Sequence, residues 1–118
     1  MSVLIAVQEK KTGMSDKLTL IIFSDNLDKA LAAFNIATGA ASMGMEVSMF
    51  FTFWGLNILR KKKEVSKPKN LGINIIACNT TMEIMGIKRE DLIPEVNEIA
   101  GVATYLSKAR DSKINLFI

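Results

Sequence analysis

The sequence predicts an α/β domain with a mostly parallel sheet of about five strands, covered by helices on both faces. Three observations carry that expectation. Short apolar runs rich in β-branched and aromatic residues recur along the chain, at "LTLIIF", "EVSMFFTF", "INIIA", "EIA" and "INLFI". Segments with helical spacing alternate with these runs throughout. The first run is apolar at nearly every position, as in strands buried on both faces of a covered sheet.

Residues 18–23 form the first expected strand. Ser24 or Asp25 then caps a helix whose acidic first turn suits the helix dipole. That helix runs to Met43, with Leu27, Ala30, Leu31, Phe34, Ala37 and Ala41 at helical spacing and alanines that permit close packing on a sheet. Gly44 stops it in the left-handed conformation. Residues 46–53 are the second strand, broken by Trp54-Gly55. A short helix in "LNILRKKK" and the polar linker "EVSKPKN", with Pro68 as a breaker, lead to a third strand at 73–77. A brief helix around 82–85 ends at Gly86, and "KREDLI" adds a helical turn before Pro94. Residues 98–100 are a short fourth strand. A helix over 102–110 sets Val102, Ala103, Leu106 and Ala109 on one side, and residues 114–118 close the chain as the fifth strand.

With 118 residues, 49% of them hydrophobic, the chain can bury one core without metals or disulfides. Its single cysteine forms no internal disulfide, which fits a reducing cytoplasm. The absence of histidine removes the usual general base and every Ser-His or Cys-His pair. With one cysteine besides, neither a metal site nor a cofactor is expected. The net charge is +3, and much of the excess lies in "RKKKEVSKPK". No aromatic residue interleaves with these lysines to stack on bases, so a solvated linker is expected rather than a nucleic-acid surface. "VLIAV" near the start has no basic segment before it and does not read as a secretory signal. The longest apolar stretch, residues 43–59, is interrupted by Glu46 and falls short of the about 20 apolar residues that a stable membrane span needs.

In open parallel sheets, ligands collect outside the carboxyl ends of the strands. On these assignments that edge carries Ser24-Asp25-Asn26, Thr52-Phe53-Trp54-Gly55, Cys78-Asn79-Thr80 and Gly101. Thr80-Thr81-Met82-Glu83 matches a capping box, which places Cys78 just before a helix N-terminus, where backbone N–H groups favour a thiolate. Lys88 or Arg89 could add positive charge. A lone cysteine after an apolar run is also a common buried hydrophobe, and both readings stand. Disulfide exchange would require Cys-x-x-Cys, which is absent. A solitary thiolate can accept and donate sulfur as a persulfide, or be oxidised and resolved by a partner's thiol. The "MFFTFWG" cluster is expected to be mainly core, with Trp54 as the exception. Met43, Met45, Met49, Met82 and Met85 read as adaptable core filler, with a thioether copper site as the lesser reading.

"FFTFWGLNILRK", "ACNTTMEIMGI" and "IAGVATYLSKARDSKINLFI", preceded by "IIFSDNLDKALAAFNIATGAASMG", together resemble the DsrE/DsrF-like family of small sulfur-relay proteins. The likeness is to the branch with an FFTFWGLN segment and an AC-x-x-[ST]-M-x-x-MG segment, often labelled peroxiredoxin-like. The Pro/Thr-framed cysteine of true peroxiredoxins is not present. The resemblance covers residues 18–118 as a single domain and leaves residues 1–17 as an N-terminal extension. It implies a flavodoxin-like three-layer sandwich, assembled in the family as a homo- or hetero-oligomer and expected here as a homo-oligomer. It further implies a persulfide on Cys78, exchanged with a TusA-like or rhodanese-like sulfur carrier, as in a sulfurtransferase that needs no internal general base. Asn79, Thr80 and Thr81 would frame the thiol, with Phe53, Trp54 and Gly55 beside it. Family members usually carry a longer, Met-rich helical insertion where this chain has only "KKEVSKPKN". The alternative is a non-catalytic oligomeric binding module with an inert cysteine. A flavodoxin-type nucleotide binder is disfavoured, because no Gly-rich phosphate loop follows the first strand.

Overall fold

The computed structural model describes residues 16–60 and 72–118. Most of the proposed N-terminal extension lies outside these residues, as do the basic run after Arg60, the "EVSKPKN" linker and the end of the "LNILRKKK" helix.

The apolar runs become five strands: β1 (Lys17–Ile22), β2 (Glu46–Phe51), β3 (Asn74–Cys78), β4 (Glu98–Ala100) and β5 (Ile114–Phe117). They form one sheet in the order β4-β3-β2-β1-β5, with every neighbouring pair parallel. Three α-helices connect them, α1 (Leu27–Ser42), α2 (Asn79–Met85) and α3 (Val102–Arg110). A 3₁₀ segment, Phe53–Leu59, follows β2, and a second, Arg89–Asp91, precedes β4. This is a three-layer α/β sandwich of the flavodoxin-like type.

The strand order explains the layers. Successive steps from β1 to β4 run in one direction, so crossovers of one hand set α1, the first 3₁₀ segment and α2 on the same face. The step from β4 to β5 runs back across the sheet and puts α3 on the other. The first face holds the main core. There Leu18, Leu20 and Ile22 of β1, Val47, Met49 and Phe51 of β2, and Ile75 and Ala77 of β3 meet those helices. On the second face, Phe50, Ile76 and Cys78 are buried, with Ala100 and Tyr105 packed against them. Phe50 and Tyr105 have ring centroids 5.4 Å apart.

Several local expectations are corrected. Asn26, not Ser24 or Asp25, caps α1: its side-chain oxygen accepts from the Lys29 N–H at 3.2 Å, while Asp25 is taken up by Asn57. The buried stripe of α1 is Ala30, Ala33, Phe34, Ala37 and Ala40, whereas Leu27 and Leu31 face outward. Small side chains let the helix axis approach the sheet, so the alanine face wins over the leucine face. β2 ends at Phe51, two residues early, because Phe53 turns into the left-handed region with φ 51°. No residue of α3 is fully buried. Val102, Ala103 and Leu106 are exposed, and Tyr105 is the side chain that packs on the sheet. Of the methionines, Met49 and Met82 are buried, but Met43 is 80% exposed and fills no gap. Gly44 adopts the expected left-handed conformation after α1, and Gly86, expected only to end α2, is left-handed as well.

Candidate functional site

β1 and β5, where the strand order reverses, stay hydrogen-bonded through Ile118, and the crevice lies on the second face of the sheet beyond the carboxyl ends of the strands. α3 covers only part of the second face, and a cavity of about 340 Å³ occupies the uncovered end. Ile21 and Phe23 line it from β1 and the residue after it, Phe50 and Thr52 from β2 and its exit, and Phe117 from β5. Cys78, Thr80, Thr81 and Ile84 come from β3 and α2, and Phe53 and Val102 complete the wall.

Cys78 is at once the last residue of β3 and the cap of α2. The capping box expected on Thr80 does not form. The helix starts one residue earlier than Thr80 and lacks a side-chain cap, so its free amides face the sulfur instead. Burial raises the thiol pKa, but four hydrogen bonds outweigh it: the hydroxyl and N–H of Thr81, the Thr52 hydroxyl and the Thr80 N–H. The net result lies below the usual thiol value. Each of these donors stabilises the charged form, whereas desolvation penalises it. Neither Lys88 nor Arg89 is among the groups that act on the Cys78 thiol, and Arg89 Nη2 instead donates to the Val96 carbonyl.

Thr81 is the hub of the polar floor. Its hydroxyl oxygen accepts from the Phe53 N–H at 3.1 Å and lies 3.2 Å from the Thr52 hydroxyl. Donation from Phe53 polarises the Thr81 hydroxyl, and the two threonine hydroxyls, with one proton each, divide their donation between the Thr52–Thr81 bond and the sulfur. The left-handed backbone of Phe53 is uncommon for a bulky residue, and it aims this N–H at Thr81. The Phe53 ring rests against Phe23, with centroids 5.4 Å apart, and Phe23 stacks on Phe117 at 5.6 Å.

The other residues singled out from the sequence divide clearly. Thr80, Thr81 and Phe53 meet Cys78 at the cavity. Asn79 is exposed and sits outside it, accepting from the Thr80 hydroxyl at 3.3 Å. Trp54 is exposed and does not line the wall. Gly55 is buried under β1, where its N–H donates to the Phe23 carbonyl at 2.8 Å. Ser24 accepts from the Asn26 N–H and Asp25 from Asn57 Nδ2, both at 3.0 Å, away from the cavity. Thr52, placed by the sequence at the same edge, does line the cavity, whereas sequence reasoning missed Ile21, Phe23, Phe50, Ile84, Val102 and Phe117 as wall residues. Strand alternation could have found Phe50, which shares the Cys78 face and sits beside Ile76 in the register Phe50↔Ile76.

Among the described residues, no group of three or more acidic, histidine or cysteine side chains could hold a metal ion. None of the described helices is long and apolar enough to cross a membrane.

Comparison with known proteins fits this architecture. "Sulfur carrier protein DsrE2" from Allochromatium vinosum is 48% identical over 156 aligned residues, covering 86% of this chain and 98% of that protein. The uncharacterized protein YrkE of Bacillus subtilis is 29% identical over 160 residues, covering 91% and 99% respectively. Both alignments are longer than this chain, so the relatives carry residues without a counterpart here. Among solved structures, the protein of unknown function MTH1491 from Methanobacterium thermoautotrophicum superposes with a TM-score of 0.77 at 18% identity, over 88% of this chain and 100% of that one. The ychN protein of E. coli gives 0.66 at 13% identity, over 89% and 100%. These two share the fold. The sequence profile of the DsrE/DsrF/DrsH-like family matches residues 14–71 and 65–117, two segments that meet where the resemblance implies an insertion. On that match, and on the identity to DsrE2, the chain belongs to the DsrE/DsrF/DrsH-like family.

Proposed function

We propose that this protein acts in sulfur relay, carrying sulfane sulfur as a persulfide on Cys78. One observation carries the reading: a thiol at the floor of a cavity, with four hydrogen-bond donors lowering its pKa and a route to solvent. The thiolate attacks the outer sulfur of a donor persulfide; a new S–S bond forms, the donor's S–S bond breaks, and the donor thiolate leaves with the electron pair and takes up the proton. Delivery to an acceptor is the same exchange in reverse, so neither a base nor a cofactor is required. Family membership and the sulfur-carrier relative support this role. The exchange partners on this reading are a TusA-like or rhodanese-like carrier in the cytoplasm, and residues 18–118 act as one domain of a homo-oligomer.

The test is incubation with an organic persulfide followed by intact mass measurement. Wild type gains the mass of sulfur and Cys78→Ser gains none; equal gain on both proteins, or none on wild type, refutes the reading. A second reading, an oligomeric binding module with an inert cysteine, is favoured by the low exposure of Cys78, only 6%. Iodoacetamide separates them. A carrier is alkylated in its native state, whereas an inert cysteine reacts only after unfolding.

A further inference from the structure

The cavity has features that a single sulfur atom does not require. Its volume of about 340 Å³ exceeds twice the roughly 150 Å³ of an apolar protein cavity that takes up benzene. Its polar groups gather at one end, where Thr52, Thr80 and Thr81 surround Cys78. The rest of the wall is apolar, includes four phenylalanines, and carries no charged side chain. An oxoanion entering this space would lose its hydration with no cation to replace it. Divalent sulfur, by contrast, is polarisable and packs well against aromatic rings. Phe50 and Cys78 are buried at the floor, while Phe53, Ile84, Val102 and Phe117 are exposed at the rim. A chain growing from the Cys78 sulfur therefore runs past the rings and brings its charged end out to water.

We propose that the cavity holds a chain of several sulfane sulfur atoms on Cys78, and that it selects polysulfide or persulfide donors over oxoanionic ones such as thiosulfate. This rests on the persulfide reading of Cys78. Lengthening requires no oxidant. The anionic outer sulfur of the Cys78 persulfide attacks a sulfane sulfur of an inorganic polysulfide. One S–S bond forms and one in the donor breaks, and hydrosulfide or a shorter polysulfide departs with the electron pair.

The experiment incubates the full chain with sodium polysulfide or with thiosulfate, caps with iodoacetamide and reads intact mass. Two or more added sulfurs are expected on wild type from polysulfide, with roughly tenfold less loading from thiosulfate, because a desolvated oxoanion has no counter-charge in the cavity. Val102→Trp and Ile84→Trp, which add bulk at exposed rim positions, are expected to shift the adducts to a single sulfur. Near-UV circular dichroism establishes that each variant is folded, and wild type against the two donors serves if neither is. A single sulfur on wild type, equal loading from thiosulfate, or an unchanged chain-length distribution in folded tryptophan variants would overturn the proposal. No sulfur from any donor, or equal addition to Cys78→Ser, would instead remove the persulfide reading beneath it.

Discussion

Thr81 is the residue whose hydrogen bonds do most to lower the Cys78 thiol pKa. Its hydroxyl donates to the sulfur and accepts the Phe53 N–H. Thr81→Val keeps the shape and removes both bonds. The expected result is an upward shift in the pH midpoint of iodoacetamide alkylation, with a loss of about 1–2 kcal/mol in urea denaturation as the Phe53 N–H loses its acceptor. The sign of the pH dependence follows from the lowered pKa. Between the folded value and the unfolded value of about 8.5, the unfolded chain binds more protons, so stability rises with pH across that window. It is lost as the pH falls through the folded value. Wild type should therefore gain stability relative to Cys78→Ala as the pH rises towards about 8.5, measured as the difference in urea midpoints. A flat difference would mean that the donors do not favour the thiolate.

Among the elements, the junction of β1 with the 3₁₀ segment is the tightest glycine contact among the described residues. A Cβ at Gly55 would overlap the Ile22 carbonyl oxygen, with the carbonyl carbon 2.7 Å away. Backbone cannot rotate aside as a side chain can, so Gly55→Ala must move β1 or the segment that carries Phe53. A destabilisation above about 3 kcal/mol is expected, at the upper end of overpacking effects. Gly39 is the contrast. It lies inside α1, nothing stands within 4 Å of the place a methyl would take, and its backbone is helical. Gly39→Ala should stabilise by about 0.5–1 kcal/mol through reduced freedom of the unfolded chain. Both values can be read from denaturant midpoints in a single series.

For the whole molecule, stability is unevenly spread. The three central strands β1, β2 and β3 supply most of the core, whereas β4, α3 and β5 contain no fully buried residue. Hydrogen exchange should therefore show α3 and β5 opening before the centre of the sheet, with protection at least about tenfold lower. Equal protection throughout would show a single cooperative unit instead. The cavity lies between these regions, with its floor on β2 and β3 and part of its rim on α3 and β5. Ligand access on this arrangement depends on the weaker part of the fold, while the thiol is held by the stronger.

The sequence by itself determined the five strands in order, the alternation with helices, the left-handed turn at Gly44, the helix end at Gly86, and the position of Cys78 at a strand end. These follow from local pattern: apolar period, capping residues and glycine punctuation act within a few neighbours. Only the tertiary structure decided that the sulfur is enclosed, that Thr52 and Thr81 meet across 29 residues of chain, and that four phenylalanines from separate segments form one wall. It also decided which face of α3 meets the sheet and which residues near the rim, Ser24, Asp25 and Trp54 among them, stay away from the thiol. Those outcomes depend on strand order and on which side each crossover takes. Residues distant along the chain become neighbours through that choice, and no local pattern records it.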